Sequence, residues 1–142
     1  MDYIGLLEQY DDPQRWDYPE GFDYDAASMR FADFVDALSD ALGQALKTES
    51  GSCIQDASFH SQIYLPLDKQ RFALIVFSNF GDMVTFSEDE PIPVDLKETV
   101  MNLLKRHEYV YVPSSVLERP YTGKNPGVTG IRDWWTRYFD WV

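Results

Sequence analysis

The chain has 142 residues, 44% of them apolar and 15% aromatic, which suffices for one domain with a real core, and it carries a formal charge of -12. That charge argues against nucleic acid and anionic membrane as partners, because either needs a Lys/Arg footprint. The longest apolar run, residues 72–81, is too short to span a bilayer, and the single Cys53 and a start without a basic, apolar signal region predict a soluble cytoplasmic protein.

The charge is unevenly placed. Residues 1–40 hold eleven acids against two arginines, residues 41–100 nine acids against four bases, and residues 101–142 four acids against six bases. The N-terminal part is therefore the acidic pole, suited to a basic partner. Residues 1–24 contain the breakers Pro13, Pro19 and Gly21, so they read as an irregular leader with a short helical turn at Tyr3 to Glu8. A disordered segment is poor in rings, whereas this one carries Tyr3, Tyr10, Trp16, Tyr18, Phe22 and Tyr24. The leader is accordingly expected to be ordered and packed on a single domain, 1–142.

From Ala26 to about Lys47, Ala27, Phe31, Phe34, Leu38, Leu42 and Leu46 recur at helical spacing while Arg30, Asp33, Asp36, Asp40 and Gln44 take the other face. Asp25 is placed to cap this helix and Gly51 to end it. Residues 58–65 alternate as a half-buried strand, 71–78 are apolar on both faces as in a central strand, and a turn at Asn79 to Asp82 leads into a third strand at Met83 to Phe86. After the break at residues 87–93, Asp95 starts a second helix with Glu98 in capping-box position; 108–113 is a short strand, 114–130 a loop, and 131–142 a terminal helix. The predicted fold is α+β: a two-layer domain of helix, three-strand antiparallel meander, helix, strand and short C-terminal helix behind the acidic leader.

The chemistry motifs are incomplete. Asp23 and Asp25 open like a calcium loop, but Ala27 and Ser28 stand where ligands are needed. His107-Glu108 lacks the second histidine of a zinc helix, and one cysteine with two histidines is too little for a structural zinc. Cys53 and His60 are too far apart along a strand to form a nucleophile pair, and Gly123-Lys124 is followed by Asn125 rather than the hydroxyl residue of a phosphate loop. No catalytic residue, metal or cofactor is therefore predicted. The candidate site is a protein interface: Asp11, Asp12, Trp16, Asp17, Tyr18, Glu20, Asp23, Tyr24 and Asp25 of the leader, with Glu88, Asp89 and Glu90, where acids steer a basic partner onto aromatic anchors.

At the C-terminus, Trp134, Trp135, Tyr138, Phe139 and Trp141 fall within eight residues, and core docking with one ring at the edge left exposed is the expectation. RPYTGKNPGV (119–128) followed by WWTRYFDWV (134–142) resembles the endings of small bacterial immunity proteins encoded beside contact-dependent growth inhibition toxins. The resemblance covers the last two dozen residues and carries over no site residue. It implies a non-enzymatic cytoplasmic protein whose partner is the C-terminal domain of a cognate toxin, for which a basic nuclease would suit the acidic pole. A small hydrolase built on carboxylates and His60, and an acidic regulatory or adaptor domain, are the alternatives.

Overall fold

The computed structural model describes residues 2–11, 21, 23–50, 61–78, 80–87, 92–123 and 133–139. In chain order the elements are α1 (Tyr3–Gln9), α2 (Tyr24–Leu42), β1 (Lys47–Ser50), β2 (Ser61–Pro66), β3 (Phe72–Phe77), β4 (Met83–Phe86), α3 (Val94–Arg106), β5 (Val110–Tyr111), α4 (Ser114–Leu117) and α5 (Trp134–Tyr138). The class is α+β, and the sequence of helix, meander, helix, strand and short helix is as expected.

The five strands lie in the order β1-β2-β3-β4-β5. The first four form an antiparallel meander, and β5 pairs in parallel with β4. That parallel pair requires a crossover, which α3 supplies. The expected three-strand meander thus gains β1, and the reason lies at the end of α2. Gly43 adopts φ +70°, a left-handed conformation that costs a side chain strain but glycine little. Its N–H and that of Gln44 both return to the Ser39 carbonyl, closing the helix several residues before the expected Lys47 and Gly51 and releasing Lys47 to begin a strand. Gly51 itself lies outside the described residues.

The start of α2 also differs from expectation. Asp23, not Asp25, caps it, its carboxylate accepting from the Ala26 N–H at 3.0 Å. The helix begins two residues earlier than Ala26, which places Asp25 in the first turn, where a negative charge is still favoured by the helix dipole. The capping box at α3 is not formed. Helix α3 starts at Val94 behind Pro93 with no side-chain cap, so Asp95 is already inside the first turn.

Strand β3 is the central strand that its doubly apolar sequence requires. Ala73, Ile75 and Phe77 face one side, with Phe31, Phe34 and Leu38 of α2 and Val100, Leu103 and Leu104 of α3. Leu74 and Val76 face the other, with Leu7 of α1, Val116 and Leu117 of α4, and Trp134 and Tyr138 of α5. The short helices thus cover the sheet's second face over β3 and β4, adding a layer to the two foreseen. Each fully buried large apolar side chain contributes about 1.5–3 kcal/mol, so both faces matter for stability. Among the described residues no helix is long and apolar enough to cross a membrane.

Candidate protein-binding surface

The surface is built on α2. At 3.6 residues per turn, Asp25, Met29, Asp33, Asp36 and Asp40 occupy roughly 80° of the helix circumference, on the side opposite Phe31, Phe34 and Leu38. All five are exposed, Met29 by 69%. The stripe runs for about 22 Å at 1.5 Å per residue. Among the described residues none of its four carboxylates has an ion-pair partner. The only base on the helix, Arg30, points elsewhere.

Arg30 holds the platform in place. Its Nη1 donates to Asp82 at 2.6 Å and its Nη2 to the His107 carbonyl at 3.0 Å, while the guanidinium lies 4.6 Å from the Tyr109 ring centroid. Asp82 sits at φ +55° in the β3–β4 turn and Glu108 at φ +65° after α3, so one side chain ties α2 to both chain reversals. Burial pushes the Tyr109 phenol up to about 12, against a smaller opposing effect of Arg30.

The stripe carries an intrinsic cost. Asp33 and Asp36 are three apart and Asp36 and Asp40 four apart, where like charges destabilise a helix by about 0.2–0.5 kcal/mol per pair. Asp40 also lies in the last turn, where the dipole disfavours an anion, and that turn contains no base. These charges add nothing to the packing of α2 on the sheet.

The candidate residues read from sequence divide into three groups. Asp23 and Asp25 are exposed at the start of α2, Asp25 as the first residue of the stripe and Asp23 as the cap, and Tyr24 is the first helical residue. Asp11 is a correction. Its side chain is 2% exposed, with Oδ1 accepting from Arg137 Nε at 2.8 Å and Oδ2 from the Tyr121 hydroxyl at 2.5 Å. An acid tied into that interior cannot meet a partner, and its task is to join the end of α1 to α5. Asp12, Trp16, Asp17, Tyr18, Glu20, Glu88, Asp89 and Glu90 lie outside the described residues, as do Cys53, His60 and Lys124.

The Asp11 network completes the packing of the C-terminal rings. The Arg137 guanidinium, whose side chain is fully buried, sits 4.8 Å from the Phe80 centroid and 4.7 Å from that of Tyr138. The Tyr138 hydroxyl donates to the Leu7 carbonyl at 2.6 Å, and burial drives its pKa well above the ordinary phenol value. Trp134 is buried and Trp135 half-buried; Trp141 lies outside the described residues. The His107 imidazole packs edge-on against Phe34 at 5.6 Å.

Asp33, Asp36, Asp40 and Met29 are absent from the sequence-derived interface. Their signal was present in the three-to-four spacing of acids on the polar face of α2, which by itself also describes an ordinary solvated helix. What separates the two is the exposed Met29 in the middle and the lack of any interspersed base. No protein-family model matches the chain, and neither curated proteins nor solved structures show significant similarity to it.

Proposed function

We propose that the chain is a non-enzymatic immunity protein that binds and neutralises a cognate toxin domain in the bacterial cytoplasm. The acidic stripe on α2 is the observation that carries the reading. It offers a rigid, exposed negative ridge with one apolar side chain at its centre, suited to a basic surface such as that with which a nuclease holds its substrate. The ending's resemblance to immunity proteins points to the same class.

In this account the ridge steers the toxin by charge, and Met29 and nearby groups are desolvated as the complex settles. Charge sets the approach rate and apolar burial the residence time. No chemistry is asked of the inhibitor. The test is to produce the C-terminal domain encoded immediately upstream in an inducible strain, with and without this chain. Rescue of growth and co-purification are expected; toxicity unrelieved by the chain, with no complex, would dismiss the proposal.

A further inference from the structure

A groove of about 390 Å³ opens between the α2–β1 connection and the β2–β3 hairpin. Its volume falls within the range of small-molecule sites. In a chain with 12 Lys and Arg against 24 acids, three of the bases, Lys47, Lys69 and Arg71, line this one groove, together with Tyr64, Phe72 and a single acid, Asp68.

The acid is already committed. Asp68 Oδ1 accepts from the N–H groups of Gln70 and Arg71, both at 2.8 Å, and its Oδ2 accepts from Arg71 Nε at 2.7 Å. The Gln70 N–H and then the Arg71 guanidinium hold its carboxyl below the usual range. This pairing orients Arg71 through Nε and leaves its Nη groups without a described acceptor. Lys69 is exposed and has no described partner. The Lys47 ammonium lies 4.8 Å from the Tyr64 ring centroid.

The rings provide the second half of the site. Phe72 is 56% exposed and meets Tyr64 edge-on at 4.9 Å. The Tyr64 hydroxyl is occupied by Glu49, which also accepts from Gln62 Nε2 at 3.0 Å, so that carboxylate is bound outside the groove lining. An exposed ring beside converging cations matches a planar base attached to phosphate. We propose that this groove binds a free mononucleotide, with the base on Phe72 and the phosphates among Lys69, Arg71 and Lys47. A polynucleotide is disfavoured because the remaining surface is strongly acidic. The groove shares no lining residue with the α2 ridge.

Calorimetric titration of the full chain with metal-free ATP tests this. Saturable one-to-one binding with a Kd of roughly 10 μM to 1 mM is expected. Lys69→Glu, at a side chain with no described contact, should weaken ATP and pyrophosphate alike by about tenfold or more. Phe72→Ala should weaken ATP by about tenfold, the scale of one base stack, and leave pyrophosphate unchanged. Absence of saturation, wild-type affinity in either variant, or tighter binding of a short single-stranded oligonucleotide than of ATP would overturn the proposal.

Discussion

Replacing Asp36 and Asp40 together by Asn should make the free protein more stable. The exchange preserves shape and nearly preserves helix propensity. It removes the Asp33–Asp36 and Asp36–Asp40 repulsions, about 0.2–0.5 kcal/mol each, and an anion from the last turn, about 0.3–1 kcal/mol. The sum is roughly 1 kcal/mol, and Tm should rise by about 2–4 °C for a domain of this size. The gain is electrostatic, so it should fade in about 1 M salt, where the screening length is near 3 Å. Urea denaturation of both proteins at low and high salt measures it directly. If the double variant were no more stable at low salt, or if its gain survived unchanged at high salt, the claim that α2 carries an unfavourable charge pattern would be wrong.

Other expectations concern the scaffold. Asp11→Ala removes the carboxylate to which Arg137 Nε and the Tyr121 hydroxyl donate and should cost more than the about 1 kcal/mol for loss of the cap in Asp23→Ala; denaturant midpoints compare them. Gly81 has φ +58°, and a Cβ there would clash with the Tyr10 ring, so Gly81→Ala should lower Tm by the equivalent of at least about 1 kcal/mol. The raised pKa of Tyr109 has a definite sign. Above the ordinary phenol value of 10.0 the unfolded chain has lost the proton that the folded one keeps, so stability is flat below that pH and declines from there to about pH 12. The slope from this residue is at most about 1.4 kcal/mol per pH unit, the limit for one proton, and Tyr109→Phe should remove its share in alkaline urea titrations.

Hydrophobic period carried most of the fold. The doubly apolar FALIVF run placed β3 at the centre of the sheet, and the 3.6-residue spacing of Phe31, Phe34 and Leu38 identified the buried face of α2. What failed was local punctuation. Gly43 stops α2 because the backbone there turns left-handed, yet the apolar pattern continues through Leu46, so period alone extends the helix too far. Strand β1, with the sequence KTES, has no apolar alternation because the pairing with β2 defines it. Helix α4 is four residues long, too short for any period to show.

The surface on α2 was visible in the sequence only as a local excess of acids, without their placement. Among the described residues α2 bears an exposed acidic stripe; the leader acids Asp12, Asp17 and Glu20 lie outside the described residues, and Asp11 belongs to the interior. Its partners Tyr121 and Arg137 are 110 and 126 residues away in the chain, and nothing local to YDD indicates them. The one available hint was Arg137 itself, a lone cation inside WWTRYF that would need a carboxylate once that helix docked. The groove at Phe72 was hidden for a related reason: Lys47, Tyr64 and Lys69–Phe72 converge only through the β1–β2–β3 register.

The central claim, that the α2 ridge receives a basic protein partner, is tested most directly by stopped-flow association with the upstream-encoded toxin domain. The wild-type chain and the Asp33→Asn/Asp36→Asn/Asp40→Asn variant would be compared over a range of salt. Steering predicts that the variant associates about tenfold or more slowly at low salt, with a flatter salt dependence. Equal rates and equal salt slopes for the two proteins would contradict it.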